Sequence, residues 1–154
     1  MSSNDPKATV RTLIEKVWNQ GNSDNLADLV APAYRIHREP GDPFEGKTLD
    51  HAAYGTRITK TRAALPDLTY VIEDLFGEDD KVAVRWHSKG THSGDLPGFP
   101  ATGKTVEMTG MTLFQLDDGK VAGHWQETDR VNMMLQLGLI RTPETAGATK
   151  ATAH

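Results

Sequence analysis

Apolar residues in the first part of the chain recur at helical spacing, and glycine, proline and loop-forming residues interrupt them. Val10, Leu13 and Val17 lie on one side of a first helix, and Asp5 with Pro6 is a typical helix start. The pattern predicts a helix from Pro6 to Gly21, a short helix ending at Pro32, an extended piece Tyr34–His37, a loop from Glu39 to Lys47, and a helix from Leu49 to Ala64.

From Leu68 onward the apolar positions alternate, which is typical of strands. We predict strands at Leu68–Phe76, Lys81–Gly90, Thr105–Leu116 and Val121–Asp129, with a long connection at Ser93–Lys104, a tight turn at Asp117–Lys120, and a short final helix ending at Gly138. Helices followed by an antiparallel meander indicate an α+β fold. A curved antiparallel sheet wrapped around the N-terminal helices would form a cone with one deep pocket.

The last predicted strand has the most informative polar pattern. Regular alternation places Trp125, Glu127 and Asp129 on one face, with His124, Gln126 and Thr128 on the other. Two acids and an aromatic side chain on one face are costly to bury unless they serve a polar pocket. The alternative is an ordinary edge strand with its acidic side chains in water.

Composition limits the possible classes of protein. The 154 residues, 25% charged and 37% hydrophobic, fit one globular domain. A net charge of -4 without a Lys/Arg cluster argues against nucleic acid as a partner. There is no apolar run of roughly 20 residues and no apolar N-terminal segment, which argues against a membrane partner. The absence of cysteine excludes disulfides and thiolate sites and permits a cytoplasmic location.

Several short motifs occur in an order that resembles the SnoaL-like polyketide cyclase (ester cyclase) family of the NTF2-like superfamily. They are Trp18–Asn22, Val30–Tyr34 with His37, Leu65–Leu68, Val82–Trp86, Gly90–Gly94, Pro100–Lys104, Asp118–Lys120, His124–Trp125, Asp129 and Leu135–Gly138. The resemblance implies a SnoaL-like (NTF2-like) cone over residues 1–141, and we expect a disordered tail over residues 142–154.

The resemblance also implies an activity, a site residue and an assembly. Cyclases of this family close a ring of an aromatic polyketide ester by an intramolecular aldol reaction, without metal or cofactor. An Asp near the end of the last strand acts as their general acid/base, and the matching residue here is Asp129. The partners implied are a small apolar or polyketide-like substrate and a second copy of the chain, paired through the broad face of the sheet.

Acid/base chemistry at Asp129 is compatible with the surrounding residues. Burial and a like-charged neighbour, Glu127, would raise the pKa of Asp129 toward neutrality. His92 or His124 would donate a hydrogen bond to the oxyanion that develops. The alternatives are that Asp129 caps a helix starting at Arg130 and that His92 is an ordinary loop histidine.

Aromatic and flexible side chains are the candidates for substrate binding. The three tryptophans Trp18, Trp86 and Trp125 could form a stacking wall, although core packing is the alternative for Trp18 and Trp86. Met111 could add adaptable lining and His37 could lie at the pocket mouth. No His-Glu-x-x-His or phosphate-loop spacing occurs, so we predict neither a metal nor a cofactor.

The sequence leaves two alternatives to a cyclase. A non-catalytic small-molecule binding protein could use the same fold. An epoxide hydrolase or an isomerase could also use it, because Glu127 and Asp129 could supply the pair of acids that an epoxide hydrolase needs.

Overall fold

A computed structural model describes residues 5–96 and 99–143 of the chain. The first helix, α1 (Pro6–Thr12), starts at Asp5, whose carboxylate accepts a hydrogen bond from the Lys7 backbone N–H. It runs directly into a π-helical segment, Leu13–Trp18. The chain then turns at Gly21, where φ is +68°, a value that glycine adopts readily.

The next elements differ in length from those that periodicity predicts. Helix α2 (Leu26–Leu29) is a single turn, because the chain becomes extended at Val30 and continues as strand β1 (Val30–Arg38). A two-residue strand β2 (Thr48–Leu49) pairs with β1. Helix α3 (His51–Ala64) follows, and the Asp50 carboxylate caps it by accepting from the Ala53 backbone N–H at 2.8 Å.

The remaining elements form most of one sheet. They are β3 (Thr69–Glu78), β4 (Lys81–Thr91), β5 (Thr105–Asp117), β6 (Lys120–Thr128) and the short helix α4 (Arg130–Gln136). The six strands lie in the order β2-β1-β6-β5-β4-β3, and every neighbouring pair is antiparallel except β1 with β6, which is parallel. This curved sheet with its few helices confirms the predicted α+β cone.

The core lies between the N-terminal helices and the inner face of the sheet. Val10, Leu13 and Val17 are buried there together with Val82 and Val84 of β4. Alternation along each strand decides which side chains reach the interior, because neighbouring residues point to opposite faces. The inner face of the sheet therefore forms both the core and, beyond it, the wall of the cavity described below.

No helix within residues 5–96 and 99–143 has the length and apolar character needed to cross a bilayer. The cytoplasmic location stays a prediction. Of the predicted C-terminal tail, residues 144–154 lie outside the described part of the chain, so its disorder stays a prediction as well.

Candidate active site

A cavity of about 590 Å³ lies between the inner face of the sheet and the helices. Aromatic side chains from the π-helical segment, from α3 and from four strands line it. They include Trp18, Tyr34, Tyr54, Tyr70, Trp86 and Phe114. Its polar lining includes Glu39, Asp42, Arg57, Thr112, His124, Gln126, Thr128 and Arg130. A mostly apolar cavity with a few convergent polar groups is the usual form of a small-molecule site.

Three buried polar side chains form a hydrogen-bonded chain at the cavity wall. The Tyr34 Oη lies 2.5 Å from His124 Nδ1, and His124 Nε2 lies 2.6 Å from Glu39 Oε1. Burial raises the pKa of Tyr34 well above its usual value, so the phenol is neutral and donates to Nδ1. Since Nδ1 accepts, the ring proton is on Nε2 and donates to the Glu39 carboxylate.

Strand pairing brings these three residues together. In the parallel pair of β1 and β6, Ile36 lies opposite His124. Tyr34 is two residues before Ile36 and therefore shares its inward face. Glu39 directly follows the last residue of β1, and its carboxylate meets the other ring nitrogen of His124. A loop acid thus becomes a buried partner of a strand histidine.

The Glu39 carboxylate is held as an anion by two arginines. Arg57 donates from one guanidinium nitrogen to both Glu39 oxygens, each at 3.1 Å, and Arg130 approaches at 3.4 Å. Burial by itself would raise the pKa of Glu39, but the hydrogen bond from His124 and the charge of Arg57 outweigh it and lower the pKa to about 2. Glu39 therefore stays ionised and orients His124 at neutral pH.

Asp42 is a second acid at the same end of the cavity. Its Oδ2 lies 3.4 Å from Arg57, and its Oδ1 accepts from the Phe44 backbone N–H at 2.7 Å. Burial and the neighbouring Glu39 carboxylate raise the pKa of Asp42 despite the charge of Arg57. The environments of the two acids thus push their pKa values apart, a pattern that is common in acid/base sites.

A second hydrogen-bonded chain lines the cavity on β4, β5 and β6. The Trp86 indole N–H donates to Thr112 Oγ1 at 2.9 Å, and Thr112 donates to Gln126 Oε1 at 2.8 Å. Gln126 Nε2 then donates to Thr128 Oγ1 at 3.1 Å. Because an indole can only donate, every bond in this chain runs in one direction. The Thr128 hydroxyl proton is left to donate toward a ligand in the cavity.

Comparison with known proteins agrees with this architecture. The sequence profile of the SnoaL-like polyketide cyclase family matches residues 8–137. The chain belongs to this family. The aklanonic acid methyl ester cyclase DnrD of Streptomyces peucetius is 27% identical over 131 residues, which cover 84% of this chain and 88% of DnrD.

Two solved structures of candidate polyketide cyclases are similar over most of their length. The protein from Acidithiobacillus ferrooxidans is 39% identical, with a TM-score of 0.80 over 92% of this chain and 99% of its own. IdmH from Streptomyces antibioticus is 34% identical, with a TM-score of 0.73 over 87% of this chain and 99% of its own. The family resemblance inferred from the sequence motifs is therefore confirmed.

Three of the residues singled out in the sequence lie in the wall of the cavity of this SnoaL-like protein. They are Trp18, Trp86 and His124. Trp86 and His124 each belong to one of the two hydrogen-bonded chains, and the Trp18 indole donates to Tyr54 Oη at 3.0 Å. Their side chains are thus placed to contact a ligand or to hold the groups that do.

Four predicted binding residues lie elsewhere, and the expectation that they line the pocket was wrong. Met111 is 51% exposed on the outer face of β5, and Glu127 is exposed opposite it on β6. Trp125 stacks on His37 at 4.1 Å between ring centroids, and neither lines the cavity. Alternation from His124 to Thr128 is regular, but the face that carries Glu127 is the outer one.

Asp129 takes the alternative position that the sequence allowed, at the start of α4. Its carboxylate accepts from the Asn132 backbone N–H at 3.0 Å, and its own backbone N–H donates to Thr109 O at 3.1 Å. The residue is exposed and is not part of the cavity wall. The expectation that Asp129 is buried beside Glu127 was therefore wrong. The two acids also do not form the inward pair that an epoxide hydrolase would need.

The cap assignment predicts the behaviour of two Asp129 variants. Asp129→Ala should lower the free energy of unfolding by about 1 kcal/mol because it removes the cap, and Asp129→Asn should lower it by less than about 0.5 kcal/mol because Asn caps equally well. Urea unfolding measures both, with Asp50→Ala at the cap of α3 as a matched control. We expect both Asp129 variants to turn over substrate within a few-fold of wild type. A large loss of turnover in Asp129→Asn at unchanged stability would instead support the acid/base role that the family resemblance implies.

His92 does not lie beside the Glu39–His124 pair. It is completely buried at a separate small recess behind the cavity, where its Nδ1 lies 3.0 Å from Thr102 Oγ1. This placement does not fit the hypothesis that His92 donates to an oxyanion next to Asp129.

The described residues contain no group of three or more His, Asp or Glu side chains arranged to hold a metal ion. The predictions that the protein needs neither metal nor cofactor stay predictions.

The sequence did not single out Tyr34, Glu39, Asp42, Arg57 or Gln126 as site residues. Glu39 and Asp42 fall in a stretch that its prolines and glycines mark as loop, where acids are normally solvated. One signal was present. Arg57 lies at helical spacing between apolar residues on the buried side of α3, where an arginine needs an acidic partner.

Proposed function

We propose that this protein is a cofactor-independent polyketide cyclase that closes a ring by an intramolecular aldol reaction. The observation that carries the proposal is the buried chain Tyr34–His124–Glu39 at the wall of a mainly apolar cavity. An aldol closure needs one group that takes and returns a proton and one donor for the developing oxyanion. The two hydrogen-bonded chains supply one of each.

Tyr34 and His124 would transfer the proton together. The Tyr34 oxygen receives the acidic C–H proton of the substrate while the phenolic proton passes to His124 Nδ1. A concerted transfer avoids a free tyrosinate, which burial disfavours. The imidazolium that forms lies against the ionised Glu39 carboxylate, which stabilises it. Arg57 keeps Glu39 ionised without itself exchanging protons.

The second half of the reaction uses the same path in reverse. The enolate carbon attacks the substrate carbonyl, a carbon–carbon bond forms, and the carbonyl oxygen becomes an alkoxide. The Thr128 hydroxyl donates to that oxygen, and the proton on His124 returns through Tyr34 to neutralise it. The product is an isomer of the substrate, so no other reactant is needed.

The cavity favours a flat, oxygenated, largely apolar substrate. Trp18, Tyr70 and Trp86 line the cavity and are held in edge contact with neighbouring aromatic rings. Aromatic walls bind planar rings by apolar burial and stacking. DnrD, a relative, is named for aklanonic acid methyl ester, and a polyketide-derived ester of this kind fits the lining.

The direct test is incubation of the purified chain with aklanonic acid methyl ester, followed by liquid chromatography and mass spectrometry. We expect a time-dependent product of unchanged mass and altered retention, formed faster than without protein. Recovery of the unchanged ester from a complex that demonstrably binds it would overturn the proposed catalysis. Failure to bind this ester or simpler anthraquinone β-ketoesters would overturn the substrate class as well.

A non-catalytic binding protein is the second candidate. The observation in its favour is that Asp129, the acid implied by the family resemblance, caps α4 and does not line the cavity. Binding without turnover in the test above is the outcome that this candidate predicts.

We further propose that the protein is a homodimer formed through the outer face of the sheet. Phe76 and Leu113 lie on either side of Ala83 across three strands, and Met111 and Val71 extend the same face; Phe76 is 60% exposed. Exposed apolar side chains grouped on one face are typical of protein–protein interfaces. A two-fold symmetric pair would bury the same face on both copies.

Leu113→Lys is therefore expected to convert the dimer to a monomer, because it places a charge in the centre of this face. Sedimentation velocity over a range of concentrations measures the change. Val131→Lys is the control, since Val131 is an exposed apolar residue on α4, outside this face. A wild-type protein that is monomeric throughout, or equal dissociation in both variants, would contradict the proposed interface.

A further inference from the structure

A small recess opens behind the main cavity, and a buried histidine forms part of its wall. The recess has a volume of about 10 Å³, comparable with the space that one water-sized group occupies. His92 lines it and is completely buried. Within the described part of the chain, His92 Nε2 has no hydrogen-bond partner. An unpaired buried ring nitrogen is unfavourable unless a ligand supplies the partner.

The hydrogen bonds around His92 are compatible with a tautomer that donates from Nε2. Thr102 Oγ1 accepts from the Lys104 backbone N–H at 3.3 Å, so its own proton is available for His92 Nδ1, 3.0 Å away. With Nδ1 as acceptor, the neutral ring carries its proton on Nε2. In this tautomer the missing partner is an acceptor, such as a carbonyl or hydroxyl oxygen.

The recess adjoins the cavity. Six residues line both, namely Leu65, Leu68, Ser88, Leu96, Met108 and Met133. Ser88 supplies a hydroxyl at this junction, and the two methionines are flexible enough to let a ligand atom pass. The rest of this boundary is leucine, so a charged group would be strongly disfavoured there.

The recess lies far from the proposed acid/base chain. Ser88 is opposite Met108 on β5, whereas His124 is opposite Phe114, six residues further along the same strand. Six residues of extended strand span roughly 20 Å. A ligand that touches both places must therefore be elongated.

We propose that this recess, formed by His92 and Ser88, binds a hydroxyl or carbonyl oxygen at the far end of an elongated, planar, apolar substrate. The proposal rests on the proposed function, because it treats the cavity as the substrate site and adds a second anchor to it. His92 donates to the terminal oxygen, and Ser88 can accept the proton of a hydroxyl. The anchor would hold the opposite end of the molecule at Tyr34 and His124 and so select substrates by length.

Binding of two probes of equal shape tests this. 2-Hydroxyanthraquinone and 2-methylanthraquinone differ only in the group at the end of the long axis. Quenching of tryptophan fluorescence reports their Kd values, since Trp18 and Trp86 line the cavity. We expect His92→Phe and Ser88→Ala each to raise the Kd of the hydroxyl compound about tenfold. The Kd of the methyl compound should change little, so the ratio of the two values changes by about the same factor.

A matched control and a second measurement make the result specific. His87→Phe alters a histidine on the outer face of the same strand and should leave the ratio unchanged. In the wild-type protein, the nitrogen-15 NMR signal of His92 Nε2 should shift with the hydroxyl compound and not with the methyl compound.

The outcomes separate this proposal from the proposed function. A Kd ratio that is the same in wild type, His92→Phe and Ser88→Ala would overturn the anchor while leaving the cavity as the substrate site. Absence of binding by both probes would overturn the anchor together with the substrate class assigned to the cavity. If His92→Phe does not fold, the milder Ser88→Ala variant and the NMR shift decide.

Discussion

His124→Gln is expected to lower the rate of ring closure by about 10²- to 10⁴-fold, the usual contribution of a general acid/base. The glutamine amide can still donate to Glu39, so the buried carboxylate keeps a partner. It has no basic nitrogen, however, and cannot accept the proton that Tyr34 transfers. Steady-state kinetics on a confirmed substrate measures the loss, which should appear mainly in kcat because substrate binding depends on other walls of the cavity.

Two further variants show whether the loss has this cause. His87→Gln removes a histidine that contacts Glu73 on the outer face of the sheet, and it should keep wild-type kinetics. Tyr34→Phe should lose activity to a similar degree, and the double variant should be scarcely worse than either single one, because the two residues act in one chain. Two results would contradict the proton relay. One is a double variant whose loss of activity equals the product of the two single losses. The other is a near wild-type kcat in a folded His124→Gln protein.

Local patterns were sufficient to predict most of the secondary structure. The turn at Asp117–Lys120 and the strands on either side depend on alternation and on Gly119, where φ is +76°. Helix α1 depends on the Asp5 cap and the Pro6 that follows. The parallel pairing of β1 with β6 had no local signal, because β1 is only a short extended piece in the sequence pattern.

The two faces of β6 were predicted correctly as sets, but the wrong set was chosen for the pocket. His124 and Thr128 line the cavity, whereas Glu127 is exposed. Alternation cannot tell which face is concave, because curvature and helix packing arise from contacts that are distant in sequence. Because of Glu127 and Asp129, the prediction chose the face that carries the acids as the pocket side, although acidic side chains are most often exposed to solvent.

The site itself depends on residues that are far apart in the chain. Glu39 and His124 are 85 positions apart, and Glu39 and Arg57 are 18 apart. Glu39 follows a strand directly and precedes a loop of prolines and glycines, so its burial becomes apparent only when α3 packs over β1. Glu39 contributes both to the proposed reaction and to stability, because it orients His124 and forms a buried ion pair with Arg57.

Arg57→Met is expected to lower the free energy of unfolding by about 3–5 kcal/mol at neutral pH, as is typical when one partner of a buried ion pair is removed. The side chains of Arg57 and Glu39 are only 11% and 4% exposed, so water cannot replace the lost partner. Urea unfolding followed by circular dichroism measures the change. Arg85→Met is the control: its side chain is 51% exposed between Glu73 and Asp74, so its loss should lower the free energy of unfolding far less than the loss of Arg57.

The pH dependence identifies Glu39 as the group responsible. Its pKa is lowered from 4.5 to about 2, so its contribution to wild-type stability is present above about pH 4.5 and is lost as the pH falls toward 2. Without Arg57 the pKa of Glu39 rises, so the difference in stability between wild type and Arg57→Met should shrink through this window. Glu39→Gln combined with Arg57→Met should recover part of the loss at neutral pH, because it removes the most deeply buried charge that Arg57→Met leaves without a partner. A difference that does not change with pH would show instead that the guanidinium acts through packing against Trp18, over whose ring it lies at 5.3 Å.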